Sequence, residues 1–138
     1  MTEVEDAISR VQLFGGLSKR DLKSLAASME ERTFPAGTVI TEVGKGGIGF
    51  FVIASGTASV VAGGRPRRSL GPGDHFGEIA LFDGGARTAQ VTAETDLRCY
   101  GLTAWEFRPF VMEHPEVAWA LLETLARRVR EAQPGDDA

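Results

Sequence analysis

The chain has 138 residues, 43% hydrophobic and 25% charged, which suits one globular domain with a real core and leaves no room for a second of ordinary size. Fifteen basic residues against 19 acidic ones give a net charge of −4, which argues against a general nucleic-acid binder with a basic face. One cysteine excludes an internal disulfide, no apolar run approaches the ~18 residues of a membrane span, and no basic-then-apolar leader opens the chain, so a reducing cytoplasm is the expected location.

Val4, Ala7, Ile8 and Val11 recur at helical spacing and predict an opening helix stopped by Gly15-Gly16. Ser18 caps a second helix with Asp21 as its capping partner, and Leu22, Leu25, Ala26 and Met29 form the buried stripe. From Arg32 to Leu102 the texture changes to short β-rich runs. Strands are predicted over Val39–Val43, Phe50–Ala54, Thr57–Ala62, Arg68–Leu70, Gln90–Ala93 and Leu97–Leu102, divided by Gly- and Pro-bearing turns. Many short strands at nearly even spacing predict a β-sandwich or jelly roll (a double-stranded β-helix). Arg65-Pro66-Arg67-Arg68 reads as a solvated hairpin tip in preference to a docking patch, and Cys99 as a small core residue.

The end is helical again. Thr103 and Glu106 form a capping box for a helix containing Trp105, Phe107, Phe110 and Val111, and His114-Pro115 divides it from a last helix. That helix runs from Glu116 to about Gln133, with Ala118, Leu122, Leu125 and Val129 on one stripe. The expected domain is residues 1–133: N-terminal helices over 1–31, the jelly roll over 32–102 and C-terminal helices over 103–133, with 134–138 as a flexible tail.

One segment interrupts the strand series: Phe76-Gly77-Glu78-Ile79-Ala80-Leu81-Phe82-Asp83-Gly84-Gly85-Ala86-Arg87-Thr88-Ala89. Gly77 permits a sharp turn or a close backbone approach, and Glu78 to Leu81 read as one short helical turn ended by Gly84-Gly85. Free N–H groups at the start of such a turn favour a phosphate, and the planar fork of Arg87 matches two phosphate oxygens. Glu78 has the wrong sign for that anion. Its acceptor-only carboxylate suits a sugar hydroxyl, so the two together fit a ribose cyclic phosphate. A surface turn with a solvated salt bridge is the plainer reading of a Gly-Glu pair and a distant Arg, and the length of the segment between predicted strands argues against it.

The segment resembles the phosphate-binding cassette of the cyclic nucleotide-binding domain family, and the similarity extends over roughly residues 5–133. Phe34-Pro35-Ala36-Gly37 with Ile40, and Phe50-Phe51-Val52-Ile53 with Gly56 and Val60, look like the family's opening strands. The resemblance implies that Glu78 binds the ribose 2′-hydroxyl and Arg87 neutralises the cyclic phosphate. It further implies that the Ile79 and Ala80 amides and the Thr88 hydroxyl add phosphate contacts, with Gly77 and Ala89 bounding the ligand-binding stretch. Ala86 stands where many members have Pro, which removes a rigidifier and no ligand contact. Gly44-Lys45-Gly46-Gly47 departs from the family, many members having an acidic residue just after that first Gly.

In the family the final helix is a lid that relays occupancy. Leu125-Ala126-Arg127-Arg128-Val129 is similar to the matching run of catabolite activator proteins, which implies that Arg128 meets Glu78; a solvated helix arginine is the equal alternative. The same alignment assigns base contacts to Ala132 and Gln133, and Ala132 lacks the hydroxyl that adenine recognition of that style uses. Val61 offers the base an apolar surface. Thr88 reads as one more phosphate donor, or as a contact to a guanine amino group; the expectation favours cAMP over cGMP. No metal is expected, since His75 and His114 are the only histidines and read as surface or hydrogen-bonded residues, and no nucleophile–base pair points to an enzyme. The expected function is a cyclic nucleotide receptor that signals to an effector protein by movement of its last helix, with a homodimer through that helix as one arrangement. Direct nucleic-acid binding and membrane contact are not expected. A degenerate jelly roll that serves only protein–protein contact is the alternative.

Overall fold

The structure is a computed structural model that describes residues 2–41, 49–83, 89–133 and 135. The expectations for Gly44–Gly47, for the last two residues of the predicted Val39–Val43 strand and for most of the tail lie outside the described residues.

The chain opens with α1 (Glu3–Ser9), a 3₁₀ turn (Gln12–Phe14) and α2 (Lys19–Ala27). Eight strands follow: β1 (Glu30–Phe34), β2 (Val39–Thr41), β3 (Phe50–Ser55), β4 (Ala58–Ala62), β5 (Arg65–Leu70), β6 (His75–Phe76), β7 (Gln90–Ala93) and β8 (Leu97–Leu102). A single turn of helix, α3 (Ala80–Asp83), lies between β6 and β7, and α4 (Ala104–Glu113) and α5 (Pro115–Ala132) complete the order. The strands form two four-stranded antiparallel sheets, β1-β8-β3-β6 and β2-β7-β4-β5, facing each other as a jelly roll.

Strand β3 explains how helices and sheets share one domain. Side chains alternate across a strand, and here both sides are buried. Phe51 and Ile53 point between the sheets with Val60, Phe76, Val91 and Cys99, whereas Phe50 and Val52 point outward into the core made with Ile8, Phe14, Leu25, Phe107 and Leu121. The inter-sheet side is tight beside Phe51. A Cβ on Gly101, its partner across the ladder, would lie 2.8 Å from the Phe51 ring, so only glycine lets that ring fill the space.

The opening helix is shorter than the sequence predicts. It ends at Ser9 with Arg10 as its C-cap, and Val11 caps the separate 3₁₀ turn. The Ser18 cap forms as expected, its hydroxyl accepting the Asp21 N–H at 3.1 Å. The Thr103–Glu106 box closes fully, and the hydroxyl and backbone N–H of Thr103 hold the Glu106 carboxyl below the usual carboxylate range.

Two strands were not legible. β6 has two residues, too few to alternate, and β1 is an edge strand with four exposed positions out of five. β5 begins three residues earlier than predicted, at Arg65, because an edge strand tolerates Pro66. Its arginines stay exposed along that edge, where charge discourages pairing with another chain. Gly63 and Gly64, both at positive φ (60° and 72°), make the two-residue turn into it.

Helix α5 departs most from expectation. Its buried residues are Val117, Leu121 and Thr124; of the predicted stripe Leu122 and Val129 are 56% and 57% exposed. The helix turns about a quarter revolution from the stripe, because Thr124 Oγ1 lies against Gly16, 3.5 Å from where a Cβ would stand, and contact is made with the 3₁₀ turn.

Cys99 is fully buried, and burial pushes its thiol up to about 12. A thiol reagent at neutral pH should therefore leave native protein unlabelled and label it fully in denaturant. Rapid labelling of the native protein would contradict this packing.

Candidate functional site

The site grows from the junction of β6 with α3. Phe76 stacks on Phe51 at a centroid separation of 5.3 Å, fixing the end of β6 in the inter-sheet core. The next residue, Gly77, has φ of 88°, a conformation that a side chain disfavours. The reversal there opens the turn containing Glu78, Ile79 and Ala80. Leu81 N–H donates to the Glu78 carbonyl at 3.2 Å and Phe82 N–H to that of Ile79 at 3.1 Å. The Ile79 and Ala80 amides thus precede the first donor of the turn. Ala80 and Leu81 are buried beneath it, while Ile79 is 50% exposed.

The Glu78 side chain is 23% exposed, and its carboxylate Oε2 lies 3.7 Å from Nε2 of His75. Among the described residues no ion pair joins Glu78 to Arg128. Gln133, the C-cap of α5, is exposed and donates its N–H to the Val129 carbonyl at 3.0 Å.

Arg87 and Thr88 lie outside the described residues, as do Gly84 to Ala86. Ala89 packs against the inter-sheet core, and Val61 pairs across the ladder with the following residue, Gln90. Val61 and Ser59 point away from that core, alternating with Val60 and Ala58. A residue absent from the sequence reading secures this end. The buried Thr41 hydroxyl donates to the Ala89 carbonyl at 3.4 Å and accepts the Val91 N–H at 3.2 Å, beside a register shift between β2 and β7. A buried Thr beside a strand end was its one sequence signal, and the polar type carries no message until the partner is known.

The turn also touches the C-terminal helices. Phe82 meets Phe107 of α4 edge-on at 5.5 Å, and an apolar groove of about 700 Å³ runs between α3, α4 and α5 past Phe82, Trp105, Met112, Leu122 and Leu125. Among the described residues no group of three His, Cys, Asp or Glu side chains could hold a metal. His114 Nδ1 donates to the Phe110 carbonyl at 2.9 Å. Among the described residues no helix is long and apolar enough to cross a membrane.

Residues 31–114, more than half of the chain, match the family described as the cyclic nucleotide-binding domain. The chain belongs to that family. It is 28% identical over 92% of its length to a CRP-like cAMP-activated global transcriptional regulator of Mycobacterium tuberculosis, of which it spans 59%. Among solved structures it resembles the N-terminal domain of a transcriptional regulator from Streptomyces coelicolor, with a TM-score of 0.81 and 34% identity over 96% of this chain and 97% of that one. The regulatory domain of Toxoplasma gondii PKA, co-crystallised with cAMP, is similar at a TM-score of 0.68 and 28% identity, over 78% of this chain and 43% of that one.

Thr41→Val keeps the shape of the side chain and removes both hydrogen bonds, leaving the buried Val91 N–H without its partner. Urea unfolding should show a loss of about 1–3 kcal/mol. An unchanged midpoint would contradict the assigned role of Thr41.

Proposed function

We propose that this domain is a receptor for a 3′,5′-cyclic nucleotide, cAMP in preference to cGMP, and that it reports occupancy to a partner protein through movement of α5. The observation that carries the reading is the largely buried Glu78 carboxylate on a turn opened by Gly77. A carboxylate held out of water needs a donor, and a ribose 2′-hydroxyl is one of the right reach. Arg87, later in the same cassette, supplies the opposite end with a fixed positive charge for the cyclic phosphate. The amides of Ile79 and Ala80 and the Thr88 hydroxyl complete the anion grip, with Ala89 ending the ligand-binding stretch, while Val61 offers the base an apolar surface. Arg128 and Gln133 reach the ligand only when α5 closes. The cAMP-activated relative and the cAMP co-crystal favour the adenine ligand, and the Thr88 hydroxyl serves the phosphate.

Two contacts support the relay. A ligand that draws the cassette inward displaces Phe82, which leans on Phe107 of α4, and α4 in turn packs on α5. The open groove between these helices leaves space for a second arrangement. Occupancy shifts the balance only as far as the ligand binds one arrangement better than the other.

Calorimetric titration with cAMP and cGMP tests the binding. Arg87→Ala should remain folded and lose about 2–5 kcal/mol of cAMP affinity, as truncating one partner of a buried charge pair does. Equal affinity in wild type and variant would overturn the role of Arg87. The two tryptophans, Trp105 on α4 and Trp119 on α5, test the relay: their fluorescence should change on saturation with cAMP, and an unaltered spectrum would contradict the helix movement.

A further inference from the structure

Among the described residues His75 lies within ion-pair distance of the Glu78 carboxylate, and the site as derived so far gives it no role. Its place is fixed by the fold. It pairs with Val52 in the β3–β6 ladder, and its ring stands edge-on to the buried Phe50 at 6.1 Å. The left-handed turn at Gly77 then brings the chain back, so that Glu78, three residues on, lays its carboxylate beside the ring. The gap of 3.7 Å is longer than a hydrogen bond and short enough for an attraction when the ring is charged. Both the charged ring and the neutral tautomer with its proton on Nε2 offer the carboxylate a donor. The side chains are 30% and 23% exposed, so the pair sits at the border of the core and not in open water.

A glutamate has three side-chain torsions to fix, and fixing them beforehand strengthens binding without adding a contact. We propose that His75 is a positioning residue for ligand recognition: its imidazole edge holds the Glu78 carboxylate where a sugar 2′-hydroxyl must meet it, and so sets how strongly the site distinguishes ribose from 2′-deoxyribose. The proposal rests on the cyclic nucleotide reading given above. The anchored ring acts through Glu78 alone, and phosphate affinity is independent of it.

The experiment compares cAMP with 2′-deoxy-cAMP by calorimetry in wild type, His75→Phe, His75→Gln and Glu78→Ala, each checked for folding by its melting curve. Phenylalanine keeps the packing on Phe50 and has no donor; glutamine keeps a donor. Wild type should prefer the ribose ligand by about tenfold, the scale of one hydrogen bond to a charged group. His75→Phe should reduce that preference severalfold while leaving 2′-deoxy-cAMP affinity unchanged, and His75→Gln should restore part of it. Adding His75→Phe to Glu78→Ala should change nothing further. A folded His75→Phe with the wild-type preference, or with both ligands weakened equally, overturns the positioning role alone. Should His75→Phe not fold, His75→Gln decides: a preference lost despite the retained donor overturns the proposal, and one partly kept upholds it. Wild type that binds neither ligand, or does not discriminate, overturns the reading of the site and this inference with it.

Discussion

The stack of Phe76 on Phe51 is the contact on which the site depends. It joins the end of β6 to the inter-sheet core one residue before the chain reverses at Gly77, so the start of the cassette inherits the rigidity of the sheets. The stack has its own requirement, the missing Cβ of Gly101, which leaves Phe51 the room to lie flat in its layer. At the other end of the segment Thr41 ties down Ala89 through its hydroxyl. Loops held by a packed β framework are where binding residues tend to lie.

The core and the binding turn belong to one sheet for a reason visible in β3. Phe50 and Val52 serve the helical core and Phe51 and Ile53 the inter-sheet core, so a shift of the helices cannot leave the sheet untouched. His75 pairs with Val52 of that strand and packs on Phe50, while Phe82 links the cassette to α4. The turn after β6 and the helical core are thereby connected through packed side chains. Helix α5 presents two faces. One, with Val117, Leu121 and Thr124, closes the domain, and the other, with Leu122 and Val129, faces out.

Much of this was legible from residue order. Gln90–Ala93 and Leu97–Leu102 alternate cleanly and form strands with those bounds, and the Thr103–Glu106 box announces α4. The spacing of such runs pointed to a β-sandwich or jelly roll, and the turn at Gly77 was legible from its glycine. The failures have physical causes. β6 is too short to carry a period, and β1 carries Glu, Arg and Thr because one edge of it faces water. On α5 two apolar stripes lie side by side, and periodicity alone cannot tell which one the domain buries. The Glu78–His75 contact was hidden because it depends on the sign of one glycine φ. Thr41 was hidden because its partners lie 48 and 50 residues away.

The central claim is that the native fold holds a phosphate closed into a ring on its sugar. A thermal melt of the wild-type protein with 3′,5′-cAMP and, separately, with 5′-AMP tests it most directly, since a ligand bound by the native state alone must raise the melting temperature. The account predicts a clear, concentration-dependent rise with the cyclic ligand and little with the open one, whose extra charge and free phosphate do not fit the cassette. An unchanged melting temperature at millimolar 3′,5′-cAMP, or an equal rise with both nucleotides, would contradict it.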